Sequence, residues 1–316
     1  YGTGSVSGNG IISPVYSGYC VSDNIYADVN GDHLPDLAVS RIPAKNSAEL
    51  ENMINKVLNY ERNPPSFFNF YHQPVVVSGW GTSGIYTLNS EVIQGFWANS
   101  MAKQPVRQYA GFVGGAPASW PADPYSSNIV AAFGPAGLGY IPATPSHLTN
   151  WSGSAGGINS AINNGAFAVY YRGSGSAQGW GEPSYSIPDL SGLSNTNPTF
   201  VFSLAGLTGK FNGSTDCFAE VFQGLENGAL GIIAPSEITY TFVADSYGWG
   251  VIDYLFPGFL PGAVSTNAIP GILPSFANVA GKYSLFQDNW PFTPNSKVAT
   301  YHLFHHFLVR FPVLLI

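Results

Sequence analysis

Charge is what this chain has least of. Lys, Arg, Asp and Glu make up 9% of its 316 residues, against a usual share of about a quarter. The 11 cations are scattered among 18 anions, for a formal net charge of −7. Phosphate binding needs clustered Lys and Arg, so a nucleic-acid partner is excluded. Apolar runs are short too. None approaches the roughly 18 to 20 residues of a membrane span, and the apolar tail at 311–316 is far too short. No transmembrane segment is expected. Cysteine occurs only as Cys20 and Cys217, which rules out a thiolate zinc site. The two could form one bridge in an oxidising compartment or remain two buried thiols, and their spacing does not decide. Neither an initiating Met nor a leader stands at Tyr1, so the chain reads as a mature product or a segment of a larger parent.

The hydrophobic share is 45%, enough for a sizeable core in one large α/β domain, with or without a smaller lobe. With so few charges, the surface must be covered by neutral polar and aromatic groups. That composition suits an extracellular or cell-surface protein.

Asp28, Asn30, Asp32 and Asp36 place oxygen donors at relative positions 1, 3, 5 and 9, with the Leu34 carbonyl between and Gly31 allowing a sharp turn. This is the first part of a calcium loop, and structural calcium is the expected cofactor. No Glu follows at position 12, so the shell would need a ligand from elsewhere. The alternative is an Asp/Asn turn that bonds its own backbone. His302 and His306 have the i, i+4 spacing of a two-ligand helix site, but no third ligand lies near and packing is the expected role.

Residues 37–43 read as a short strand. Asn46 can cap the helix that follows, with Glu49 three residues on and Leu50, Met53, Ile54, Val57 and Leu58 at helical spacing. Pro64 and Pro65 stop it and mark a boundary: 1–65 as the end of a smaller N-terminal subdomain, 66–316 as the main domain. Beyond it, strands are expected at 74–78, 106–111, 166–171, 199–204 and 229–234, with helices at 90–101, 157–164 and 217–225, the second of these closed by Gly165. This alternation predicts an α/β fold with a mostly parallel central sheet and helices on both faces. Ligands gather at the carboxyl ends of such strands, where two Gly-containing loops begin: Gly173-Ser174-Gly175-Ser176 and Ala205-Gly206-Leu207-Thr208-Gly209.

The 28–41 loop and strand, the helix ending Tyr60-Glu61-Arg62-Asn63, the 173–176 loop with Trp180 behind it, the strand into Ala205, the helix start Cys217-Phe218-Ala219-Glu220 and the 228–236 strand follow one another as in a known family. The chain resembles the gingipain-like C25 cysteine peptidases of secreted bacterial type. That resemblance implies a caspase-like three-layer α/β sandwich plus part of a smaller N-terminal subdomain. It also implies that Ser174 stands where the family has its catalytic histidine, and Gly206 where it has its cysteine. A thiolate nucleophile needs sulfur and a nearby base, and neither residue supplies one. Relatives carry a cysteine at the position of Cys217 beside the true nucleophile, which points to packing there, and nothing in the sequence brings His147 to the loops. In the family a Gly-Asp turn follows the segment matching 301–306, whereas Phe307 and Leu308 stand here.

What remains is a pocket scaffold: backbone N–H groups of Gly206 and Leu207 as oxyanion donors, and Gly173 and Gly175 for close approach. An aromatic belt, Tyr240, Phe242, Tyr247, Trp249, Tyr254, Phe256 and Phe259, is either core and rim or a recognition surface for peptide, protein or glycan. The expected function is a catalytically silent peptidase-like module that acts in binding or assembly, within a homo-oligomer or a larger parent chain. Two alternatives stand beside it: an active C25-type endopeptidase, which requires a gene encoding His at 174 and Cys at 206, and a glycan-binding or filament-forming module on the same fold.

Overall fold

The computed structural model describes residues 20–261 and 274–308; the apolar tail at 311–316 lies outside them. The first elements are α1 (Asn24–Ala27), α2 (Ser47–Arg62) and α3 (Phe68–His72). Asn46 caps α2 as expected, its side chain accepting from Glu49 N at 2.9 Å while Glu49 Oε1 accepts from the Asn46 amide at 2.8 Å. The buried stripe of α2 is Met53, Lys56, Val57 and Tyr60, whereas Leu50 is exposed and Ile54 and Leu58 are half-buried. The apolar face therefore sits about one residue round the helix from the expected one. Lys56 is tolerated inside because its ammonium donates to the carbonyls of Gln223 and Leu225.

The main sheet is built from β1 (Val75–Ser78), β2 (Val106–Tyr109), β3 (Ala168–Arg172), β7 (Thr199–Leu204), β8 (Ala229–Pro235) and β9 (Phe304–Phe307), in spatial order β2-β1-β3-β7-β8-β9. All pairings are parallel except β8 with β9. Between β3 and β7 runs a small antiparallel sheet, β4 (Gly175–Ser176), β5 (Gly179–Trp180) and β6 (Tyr185–Ser186). The helices are α4 (Ile85–Gly95), α5 (Pro124–Phe133), α6 (Ala155–Asn163), α7 (Phe218–Gly224), α8 (Val243–Leu255), α9 (Pro274–Gln287) and α10 (Pro294–Leu303).

The core strands are buried on both faces, which is why they read as continuous apolar runs. Their alternate residues divide between two clusters. Tyr170, Phe200 and Phe202 pack with Leu88 and Val92 of α4, Ile129 and Phe133 of α5, and Tyr247 and Ile252 of α8. Val169, Tyr171 and Val201 pack with Ile158 and Ile162 of α6, Phe218 and Phe222 of α7, and Trp180 and Tyr185 of the small sheet. The result is a three-layer α/β sandwich. Each such aliphatic or aromatic side chain contributes about 1.5–3 kcal/mol by leaving water.

The helix expected at 90–101 begins earlier, at Ile85, and closes in a π-helical turn at Phe96–Ser100. Its first turns carry buried Thr87, Asn89 and Ser90, which hid them from the apolar periodicity. Gly165 closes α6 with φ 95°, a conformation glycine adopts without penalty. Residues 37–43 do not form a strand: one bridge pairs Arg41 with Phe307, through Arg41 N to His306 O at 2.8 Å and Leu308 N to Arg41 O at 2.9 Å. Tyr247, Trp249, Phe256 and Phe259 of the aromatic belt are buried in the core, while Tyr240, Phe242 and Tyr254 pack against it half-buried. The belt is core and rim.

Candidate functional site

β3 and β7 lie side by side and parallel, with Arg172 opposite Leu204 at their carboxyl ends. The topology therefore brings the 173–176 and 205–209 loops together. They touch closely: a Cβ at Gly175 would lie 2.8 Å from Gly206 O and 2.9 Å from the Ala205 methyl carbon. Only glycine allows that approach. Ser174 is exposed at the tip of its loop, and Gly206 is half-buried.

Both loops are braced from below. The Tyr171 hydroxyl donates to Ser174 O at 2.8 Å, and its ring stacks on Trp180 with centroids 4.3 Å apart. A buried relay continues from there. Trp180 Nε1 donates to Ser203 Oγ at 2.9 Å, Ser203 Oγ to Thr208 Oγ1 at 2.9 Å, and Thr208 Oγ1 to Ala205 O at 2.8 Å. Every donor in the relay is used, which fixes the chain on either side of Gly206. Leu207 is held at φ 70°, a left-handed conformation that is costly for a branched side chain. The expected oxyanion donor at Leu207 is not available, because its N–H donates to Glu237 O at 3.2 Å.

Arg172 closes the floor of the site. It is fully buried, donates from Nε and Nη2 to the two carboxylate oxygens of Asp245 at 2.5 and 3.1 Å, and donates from Nη1 to Leu204 O at 3.2 Å. Its guanidinium also lies 4.5 Å over the Tyr86 ring. Burial works against its charge, but Asp245 outweighs that and holds its pKa above the ordinary value.

Both cysteines are buried away from solvent. Cys217 caps α7 within the apolar cluster under them, next to Trp180 and Phe218, and burial followed by the nearby Glu220 carboxylate pushes its thiol far up. Burial raises Cys20 to about 11. Both thiols are free and buried, so the Cys20–Cys217 bridge is not formed.

The histidines are elsewhere. His147 Nε2 lies 2.7 Å from Glu91 Oε2, beside β2. His302 ends α10 while His305 and His306 lie in β9, so the i, i+4 pair does not share a helix face. The helix stops at Leu303, and the chain turns straight into a strand. His302 instead lies 3.2 Å from both Ser22 Oγ and His33 Nδ1, and His306 lies 2.9 Å from Ser40 Oγ.

One constellation invisible in the sequence imitates a hydrolytic triad. His305 Nε2 lies 3.1 Å from Ser236 Oγ, and His305 Nδ1 lies 3.7 Å from Asp23 Oδ2. Its proton arrangement is wrong for catalysis. His305 Nδ1 accepts from Asp23 N at 3.4 Å, so the ring proton sits on Nε2 and points at the serine, while Ser236 Oγ donates to Val21 O at 2.7 Å. Ser236 and His305 are buried while Asp23 is half-buried, and burial depresses His305 to about 3. The group locks the N-terminal segment onto β8 and β9.

The 28–36 loop bonds its own backbone. Asp28 Oδ1 accepts from Gly31 N at 2.7 Å and Oδ2 from His33 N at 2.9 Å; Asn30 Oδ1 accepts from Asp32 N at 2.9 Å; Asp32 Oδ1 accepts from Leu34 N at 2.8 Å; and Asp36 Oδ2 accepts from Val29 N at 2.8 Å. Among the described residues no group of three or more His, Cys, Asp or Glu side chains converges as metal ligands. A calcium ion would have to draw Asp28, Asp32 and Asp36 inward from these bonds.

No helix among the described residues is long and apolar enough to cross a membrane. Comparison with known proteins agrees with the fold. The chain is 24% identical over 266 residues to Lys-gingipain HG66 of Porphyromonas gingivalis, covering 83% of this chain and 12% of that protein. It is 24% identical over 220 residues to gingipain R2 of the same organism, covering 67% of this chain and 25% of that one. It thus spans a quarter or less of these relatives' length. The crystal structure of the Arg-specific cysteine proteinase gingipain R superposes with a TM-score of 0.69 at 18% identity, over 96% of this chain and 60% of that one, and has the caspase-like fold. A complex of Porphyromonas gingivalis RgpB pro- and mature domains superposes with a TM-score of 0.65 at 15% identity, over 96% of this chain and 63% of that one. The family model of peptidase family C25 matches residues 2–286, and the chain belongs to that family.

Proposed function

We propose that this chain is a catalytically silent, peptidase-like module of a secreted or surface-attached protein, acting by binding a peptide or protein partner. One observation carries the reading. The two loops at the ends of β3 and β7 are braced and in contact, yet Ser174 and Gly206 bring neither imidazole nor sulfur to them. Ser174 has no base to take its proton, and glycine has nothing to ionise. The occupied Leu207 N–H removes an oxyanion donor as well.

Beside the loops, at the ends of β1 and β2, Trp80, Phe112 and Trp151 form a half-buried aromatic platform with centroids 4.5 to 5.3 Å apart, and Val113 next to it is 95% exposed. Such surfaces suit partner binding. The purified chain should hydrolyse neither casein nor Arg- and Lys-reporter peptides, and an active-site thiol probe should leave it unlabelled. Measurable turnover by the chain with Ser174 and Gly206 in place would overturn the proposal.

A further inference from the structure

A second site lies away from these loops, on the free edge of β2. A pocket of about 480 Å³ is lined there by Arg107, Gln108, His147, Thr149, Asn150 and Ser152, among others, within the size range of small-ligand sites. Its inner wall is organised by one carboxylate. Glu91 of α4, its side chain 2% exposed, accepts from Arg107 Nε at 2.7 Å and Nη2 at 3.0 Å, from the Tyr109 hydroxyl at 2.6 Å and from His147 Nε2 at 2.7 Å. Burial raises the Glu91 carboxyl, but the bonds from His147 and Arg107 outweigh it and keep the group ionised.

That wall fixes the chemistry of a ligand. The Arg107 charge is spent on Glu91 through a bidentate pair, so an anion entering the pocket meets no uncompensated cation. No Asp, Glu or Lys lines the pocket, so a cation finds no partner either. What is left is neutral hydrogen-bonding capacity of both senses. Glu91 uses neither the second ring nitrogen of His147 nor Arg107 Nη1. Gln108, Thr149 and the Asn150 NH₂ add amides and a hydroxyl, while Ser152 Oγ donates to Asn150 Oδ1 at 2.5 Å and keeps its capacity to accept. Gln108 is held in place: a Cβ at Gly157 would lie 2.2 Å from its Oε1, and one at Gly153 would lie 2.5 Å from its carbonyl carbon. Trp151, between two lining residues, carries a buried indole N–H without a partner among the described residues.

We propose that this pocket binds a neutral, hydroxyl-rich ligand, a sugar ring of a saccharide. Amides and hydroxyls around a cavity whose guanidinium is already paired with Glu91, with an aromatic ring beside it, match alternating hydroxyls better than they match a phosphate or an ammonium. The site shares no residue with the 173–176 and 205–209 loops, so it does not depend on whether those loops are catalytically silent.

The test is calorimetric titration of the intact chain with glucose, galactose, N-acetylglucosamine and maltose, set against glucuronate and inorganic phosphate. Saturable binding of at least one neutral sugar is expected, with affinity in the millimolar range or tighter. Gln108→Ala and the exposed-site variant Thr149→Val should each weaken it about tenfold, with thermal melts confirming that both remain folded. Failure of every neutral sugar to bind, tighter binding of phosphate or glucuronate, or unchanged affinity in both folded variants would overturn the assignment.

Discussion

Arg172 and Asp245 form a bidentate ion pair from which water is excluded, joining the end of β3 to the first turn of α8 directly beneath the two loops. A pair like this contributes little net stability, but losing one partner strands a buried charge. Arg172→Met and Asp245→Leu should each lower unfolding free energy by about 3–5 kcal/mol. The double variant Arg172→Met/Asp245→Leu should recover a large part of that loss. Denaturant melts of the three proteins measure both effects, and additive losses would show that the pairing itself is not what matters.

Acid should loosen the molecule through its buried histidines. Burial depresses His302 to about 4, and His305 and His306 to about 3, each from an ordinary value near 6.5. The folded state then binds fewer protons than the unfolded chain between these limits. Stability is fully present above about pH 6.5 and is lost as pH falls toward 4 and then 3. By pH 5 the loss through His302 alone amounts to about 2 kcal/mol. Thermal melts from pH 7 to pH 4 should show a falling Tm, and His302→Asn should flatten the upper part of that slope.

Placing a cysteine at position 206 should be tolerated only with a small shift. Its Cβ would lie 3.0 Å from Ile238 Cα and 3.3 Å from Thr239 N, both backbone atoms. Gly206→Cys should cost about 1–3 kcal/mol and introduce a thiol that iodoacetamide modifies faster than Cys20 or Cys217. Peptide mapping after a short labelling pulse gives the order; modification of Cys217 first would show that the apolar cluster beneath the loops is open.

Asp28 accepts from three backbone N–H groups of its loop. Asp28→Ala should therefore destabilise the chain by about 1–3 kcal/mol without added metal. Melts with and without a chelator decide the role of the carboxylates: a Tm that drops on chelation in the native chain, but not in Asp28→Ala, would place a calcium ion among Asp28, Asp32 and Asp36.

The strand at Thr199–Leu204 was legible to the residue, because a strand buried on both faces is a continuous apolar run bounded by turns. So was the capped α2, whose Asn46 and Glu49 act within four residues of each other. Features that depend on distant partners were not. Leu37 and Val39 look like a strand, yet among the described residues of this segment only Arg41 forms a β-bridge, 266 residues away with Phe307. Ser236, His305 and Asp23 meet across as many as 282 residues, and no spacing rule anticipates them. Glu91 was hidden for another reason: a single acid in an apolar helix gives no sign that Arg107, Tyr109 and His147 will converge on it. The adjacency of the 173–176 and 205–209 loops could be inferred from the order of apolar runs, but the spent N–H of Leu207 could not.

The bridge from Arg41 to β9, together with the Ser236–His305 lock, ties the start of the described chain to its end. Neither the residue 20–41 segment nor β9 can peel away alone, since β9 completes a sheet whose next neighbour is β8 in the core. Amides in β8, β9 and the residue 20–41 segment should thus exchange with deuterium as one cooperative unit. A cut between residue 41 and α2 should release that whole edge instead of a short tail.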